Sequence, residues 1–381
     1  MKGIKHSGRR GQSLPKRALA LSTLPNDVIH IIFTHLTIQD LQNLSVLNRE
    51  YRELLVPHLL SRVKAQWYKL IDESEGTTSV LKKYKYVIHQ LRIIDSFPYG
   101  DWQIDIFQDV LYQLPKLQHL LINTVSSSGW LRYRANQTIT KLTLYSEANV
   151  NDTQSRLQPH NKDNVTRKLN TYHPLQMFNV EHLENFKMLQ HLELEGYHIS
   201  WDPGSIRIPV LTLTSLTLVD CQWNYPFELK HFNYNNTLEH LSLQFKNGST
   251  FEHSERFRDF ILNLGESGGL ESIASLELIH NDVKAETHHL NVDETFLKRI
   301  LSGKGLPNLR RLVLRGWRVN CAFYWHRLVE ILQSKQELTA LDFDVVSSFG
   351  SGINTGVVKE WCREMCPWMK VCLNVRELQK A

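Results

Sequence analysis

From residue 24 the apolar positions run at helical spacing. Leu24, Val28, Ile32 and Leu36 fall four apart, with Ile29 and Phe33 beside them, and that spacing predicts a helix with one apolar stripe. Pro25 suits a first helical turn, and Asp27 complements the positive end of the helix dipole. Thr37 followed by Asp40 predicts the cap of a second helix whose apolar positions are Leu41, Leu44 and Leu47. A third short helix is expected from about Asn48 to Leu55, with Pro57 marking its end. Three short helices in about forty residues bury little surface. Val28, Ile29, Ile31, Ile32 and Phe33 are more apolar side chains than one helix face can hide, and such a surplus on a small unit points to a partner.

Beyond residue 85 the rhythm changes. One phrase recurs: an aliphatic residue, two others, leucine, one other, an aliphatic residue. It reads IHQLRI from Ile88, LQHLLI from Leu117, ITKLTL from Ile139, LQHLEL from Leu189, LTSLTL from Leu213, LEHLSL from Leu238, IASLEL from Ile273, LRRLVL from Leu309 and LTALDF from Leu338. The central leucines are Leu91, Leu120, Leu142, Leu192, Leu216, Leu241, Leu276, Leu312 and Leu341, separated by 29, 22, 50, 24, 25, 35, 36 and 29 residues. Apart from the longest, these intervals lie at or somewhat above the spacing of leucine-rich repeats. The longest is two repeats or one repeat with a long insertion.

Alternating leucines predict a short strand with one buried face, which each repeat hides only by stacking on its neighbours. Helical patterns precede some phrases, as in Ile106-Phe107-Val110-Leu111-Leu114 and Phe257-Phe260-Ile261-Leu264. A strand and a helix per repeat yield an α/β arc, with parallel strands on its concave face and helices or loops outside. The Asn or Cys expected at each repeat turn occurs clearly only at Cys221 and Asn281, so the turns are read as irregular. The expected organisation is a basic arm (1–20), a helical domain (21–66), a linker helix (67–85), the repeat array (86–360) with a polar insertion near 146–173 and a second loop near 281–291, and a cap (361–381) containing Trp361, Trp368 and Met369.

Because side chains alternate along a strand, the residues flanking the leucines face the concave surface. The candidate contacts are His191, Glu193 and Glu195, then His240, Ser242 and Gln244, then Arg311 and Arg315, then Asp342 and Asp344. Their signs are mixed, and no simple grip on phosphate or polyacid is visible in them.

The first helices also carry a family resemblance. Leu24-Pro25, Ile32-Phe33 with Leu36, Asp40-Leu41, Val46, and Arg49 with Tyr51 and Arg52 come in the order of an F-box. Tyr51 stands where tryptophan is common and Asn48 where cysteine is frequent. The resemblance implies docking on a Skp-type adaptor, which bridges to a cullin scaffold, through Leu24, Pro25, Val28, Ile29, Ile32, Phe33, Leu36, Leu41 and Tyr51. With the repeats, the chain resembles F-box proteins with leucine-rich repeats. That implies a substrate receptor of an SCF-type ubiquitin ligase or, as the alternative, a scaffold that degrades nothing.

Composition narrows the remaining classes. The chain has 381 residues with 44 basic and 39 acidic side chains, yet the first twenty hold six basic residues and no acidic one. The rest is nearly neutral, which disfavours broad nucleic-acid binding by the folded body. The arm, rich in Gly, Ser and basic residues, reads as disordered. No apolar run approaches the roughly 18 residues of a membrane span, and no signal-type core opens the chain, so cytoplasm or nucleus is expected. Cys362, Cys366 and Cys372 lack histidines at ligand spacing, and neither metal nor cofactor is expected. The eighteen histidines form no H-E-x-x-H, and neither G-x-S-x-G nor a phosphate-binding glycine loop occurs. A non-catalytic protein is the expectation.

Overall fold

A computed structural model describes residues 24–47, 49–70, 80–97, 101–124, 131, 137–146, 176–201, 210–223, 229–233, 235–245, 270–280, 291–301, 306–319, 325–347 and 355–377. The chain divides after Ser61 into two compact units.

The first unit is three helices: α1 (Asn26–Thr34), α2 (Ile38–Ser45) and α3 (Arg49–Leu60). Pro25 takes the N-cap of α1, with Asp27 in the first turn. The Thr37 hydroxyl accepts the Asp40 amide while the Asp40 carboxylate accepts the Thr37 amide, a reciprocal cap for α2. Pro57 does not end α3, contrary to expectation. The helix runs on to Leu60, because Pro57 lies on the exposed side and forgoes one bond there, while Leu59 beyond it packs on the core. That core is Ile29, Phe33, Leu41 and Leu55, with Leu24, Leu36, Leu44, Tyr51, Leu54 and Leu59 against it.

The second unit is built on one parallel sheet. Its strands, in spatial order, are β1 (Arg62–Ala65), β2 (Gln90–Phe97), β3 (His119–Thr124), β4 (Lys141–Ser146), β6 (His191–Glu195), β8 (Ser215–Val219), β10 (His240–Phe245), β11 (Ser275–His280), β13 (Arg311–Val319), β14 (Ala340–Ser347) and β15 (Lys370–Glu377). The short β12 (Asn291–Val292) pairs with β13, and β5 (Gln176–Asn179), β7 (Tyr197–Ser200) and β9 (Gln222–Trp223) form a small second sheet. Every phrase read from the sequence is a strand, and the register sets its central leucine against the next. Leu91 pairs with Leu120, then Leu142, Leu192, Leu216, Leu241, Leu276, Leu312 and Leu341. All nine are buried, which makes a continuous leucine spine.

Two strands along the main row of the parallel sheet lie outside the phrases. Val63 of β1 extends the spine at one end and Val371 of β15 at the other. Residues 62–66 are thus the first repeat and not the end of the helical domain. Trp67, Leu70 and Leu81, expected in a linker, belong to the array core. The expected cap is a further repeat: α8 (Thr355–Met365) leads into β15. Neither strand was legible because valine replaces the central leucine. The interval of 50 resolves as one repeat with an insertion, since β4 pairs directly with β6. Ser146, given to that insertion, ends β4; residues 147–175 and 281–290 lie outside the described residues, as do Asn281 and the Phe257–Leu264 pattern.

Helices α5 (Asp101–Tyr112), α6 (Glu294–Leu301) and α7 (Trp325–Gln333), with α8, bury their apolar faces in the same core as the leucines, as does Leu81 of the short α4 (Val80–Tyr84). The opposite face of the sheet carries the residues between the leucines. A second repeating device joins the turns: four residues before the central leucine, Thr138, Thr212, Thr237, Ser272 and Asn308 donate to a carbonyl of the preceding repeat. At Cys221 the buried thiol donates to the Leu194 carbonyl at 3.3 Å. In β13 the bulge beside β14 rests on Gly316, at φ 74°, where a Cβ would meet the His280 carbonyl oxygen at 1.5 Å. The bulge turns Trp317 inward, and its indole donates to the Leu278 carbonyl at 3.0 Å.

Candidate docking surfaces

On α1, residues spaced by four drift by about 40° per step in a helix of 3.6 residues per turn. The stripe expected from Leu24, Val28, Ile32 and Leu36 therefore does not stay on one face. The inward row is Ile29, Phe33 and Leu36; Val28 and Ile31 turn outward, and half-buried Ile32 lies between the rows. The exposed fractions are 40% for Val28, 60% for Ile31, 70% for Ile38, 71% for Val46 and 66% for Leu47. Exposure on that scale is costly for apolar side chains in a unit this small.

The nine residues assigned to docking thus separate. Ile29, Phe33 and Leu41 are buried, which corrects their assignment as contacts: they hold the helices together. Leu24, Leu36 and Tyr51 are half-buried on the core, Ile32 is half-buried, and Pro25 and Val28 face out. Ile31, Ile38 and Leu47 are exposed residues that the assignment left out. The signal for Ile31 was its place three residues after Val28. His30 Nδ1 lies 2.9 Å from His58 Nε2, joining α1 to α3, with the His58 ring edge-on to Phe33. Burial, then His30, hold the His58 pKa below its usual value.

The F-box domain family matches residues 21–57. Residues 21–57 are an F-box domain. F-box domains bind Skp-type adaptors, and the outward apolar residues of α1 and α2 lie within the matched range. After this F-box domain in sequence, the strand-by-strand spine is an array of leucine-rich repeats. No curated protein matches the chain. Among solved structures it is similar to the crystal structure of an internalin from Listeria monocytogenes, at 11% identity over 80% of each chain and a TM-score of 0.34.

In the array, all ten candidate contacts lie on the open face of the sheet. His191, His240, Arg311 and Arg315 are exposed; Glu193, Glu195, Gln244, Asp342 and Asp344 are half-buried. Toward the C-terminal strands the charged ones pair with opposite charges. Arg311 reaches Glu277 at 2.6 Å, Arg315 binds Asp342, and Arg376 reaches Asp344 at 3.0 Å with Asn374 donating to the same oxygen. The Ser242 hydroxyl, itself buried, donates to Glu277, and Gln244 donates to Ser242. Half-exposed pairs like these add little stability each, but they compensate the charge of that end.

The N-terminal strands differ. Among the described residues, the open rows beside the spine on β1 to β4 hold Arg62, Lys64, Arg92 and Lys141 and no carboxylate. His119 sits among them: burial first, then Lys141, Arg62 and His191, push its pKa down to about 4. His191 is lowered by burial and by Lys141. The positive zone was invisible in the sequence because two of its cations lie on β1, which has no leucine phrase.

Cys362 on α8 and Cys366 just after it are buried in the core, whereas Cys372 is on the open face, so the sheet separates them. Burial pushes the Cys221 thiol up to about 12 and the Cys362 thiol up to about 11. Among the described residues no helix is long and apolar enough to cross a membrane.

Proposed function

We propose that this protein is the substrate-recognition subunit of an SCF-type ubiquitin ligase. Its F-box domain docks on a Skp-type adaptor and through it on a cullin scaffold, while the open face of the repeats holds a target protein. The array positions the target near the ubiquitin-loaded enzyme, so acceleration comes from proximity and from no catalytic side chain of this chain. The observation that carries the reading is the F-box domain at residues 21–57, whose helices leave Ile31, Ile38 and Leu47 facing solvent.

Ile31→Asp is the test. The side chain is already exposed, so the helices keep their fold, but a charge enters the apolar contact at a cost of several kcal/mol. Adaptor binding measured by calorimetry is expected to weaken at least about a hundredfold, about 2.7 kcal/mol. Co-purification of the cullin is expected to fail with it, and a target is expected to accumulate. Unchanged adaptor affinity would overturn the docking, and adaptor binding without cullin recovery would favour a scaffold that degrades nothing.

A further inference from the structure

The charge on the open face is zoned, and the zones have different fates. From β11 to β15 the carboxylates and guanidiniums are neighbours and neutralise each other. On β8 and β10 the open rows beside the spine hold Ser215, Thr217, His240 and Ser242, with no carboxylate, lysine or arginine. On β1 to β4, among the described residues, the cations have no carboxylate in those rows. Strands about 4.8 Å apart and residues about 3.3 Å apart put Arg62, Lys64, Arg92 and Lys141 within a patch of about 14 by 7 Å. Four like charges that close focus a positive potential over this end of the face, which favours an anionic ligand. The depressed pKa of His119 registers the same field, since Lys141 and Arg62 are among its causes.

On this reading of the array as the target-binding part, we propose that the open face of β1 to β4 grips a short anionic segment of the partner protein, with Arg62, Lys64, Arg92 and Lys141 as its counter-charges. The anionic groups are carboxylates or phosphates closely spaced along an extended peptide. A nucleic acid fits less well. A polyanion running across the strands meets Glu193 and Glu195 on β6, immediately beyond Lys141, and a phosphate-tracking surface needs a longer basic stripe. The same two carboxylates set a polarity. They fence the anionic part of the ligand toward the first strands and leave an uncharged part for β8 and β10.

The full chain co-purified with its adaptor is titrated into fluorescently labelled peptides and followed by anisotropy. The probes are a peptide with a run of glutamates, its glutamine counterpart, a phosphoserine counterpart, and a short single-stranded DNA. The glutamate or phosphoserine peptide is expected to bind, more weakly as salt rises, with the tighter of the two naming the anion. The glutamine peptide is expected to bind at least about tenfold more weakly. Lys64→Glu with Arg92→Glu is expected to lose about tenfold or more, and Lys64→Gln with Arg92→Gln to lose part of that. Lys370→Glu, on β15 of the same sheet, is expected to change nothing. Equal binding of the glutamine peptide, no binding by either acidic peptide, indifference to both double substitutions, or tighter binding of the DNA each overturns the proposal. Adaptor binding is read on the same samples. Its retention when the peptides fail sinks this inference alone, whereas its absence in the parent protein sinks the ligase reading.

Discussion

His119 shows how one residue carries the electrostatics of its surroundings. Its imidazole is half-buried on β3 and lies within range of Lys141, Arg62 and His191, so the neutral form is favoured in the fold and the pKa falls to about 4 from 6.5. An unfolded chain regains the ordinary value and takes up a proton first. The contribution of His119 to stability is therefore complete above about pH 6.5 and is lost as pH drops toward about 4. Melting temperatures measured across that interval should fall for the parent protein, and His119→Gln should flatten part of the fall. A parallel decline in the variant would assign the effect elsewhere. Gly316 is the opposite case, a residue whose role is geometric. Only a side chain without Cβ lets β13 pass the His280 carbonyl and bring Trp317 inside. Neither role is visible in the local sequence, because each depends on strands distant along the chain.

At the scale of elements, α1 divides its apolar residues between cohesion and display. Phe33 is buried among helices and packs edge-on to His58, whereas Ile31, two residues earlier, faces outward. Phe33→Ala should cost about 3–5 kcal/mol, the usual range for a fully buried phenylalanine. A three-helix unit of about forty residues has little stability beyond that. Amide hydrogen exchange in the full chain should then show α1 to α3 losing protection; preserved protection would mean that Phe33 is not the keystone of that core. The surplus of apolar residues was legible in the sequence, and so was the Thr37–Asp40 cap. Which residues of the surplus face out was not, since that turns on where α3 lies, and α3 itself ran past the proline expected to stop it.

At the scale of the whole molecule, the array is a stack in which each repeat is hidden by its neighbours. Such a stack should couple locally. Leu216→Ala and Leu241→Ala, on paired strands, should interact by about 0.5–3 kcal/mol in a double-mutant cycle of chemical unfolding. Leu91→Ala and Leu341→Ala, eight strand spacings apart, should add within about 0.5 kcal/mol. Strong coupling between the distant pair would show that the array unfolds as one body with no nearest-neighbour structure.

The nine leucine phrases determined the strand of each repeat and the face it buries, because a period of two has only one way to put leucines inside. The order of apolar elements from Leu24 to Tyr51 likewise determined the helical domain and its resemblance. What the tertiary structure decided is everything set by registration between distant strands. It added β1 and β15, whose valines join the leucine spine only because their neighbours align them. It paired Arg311, Arg315 and Arg376 with carboxylates and left Arg62, Lys64, Arg92 and Lys141 without them in the rows beside the spine. Charge along a chain is a list, and only strand registration turns that list into a map on which opposite charges meet or fail to meet.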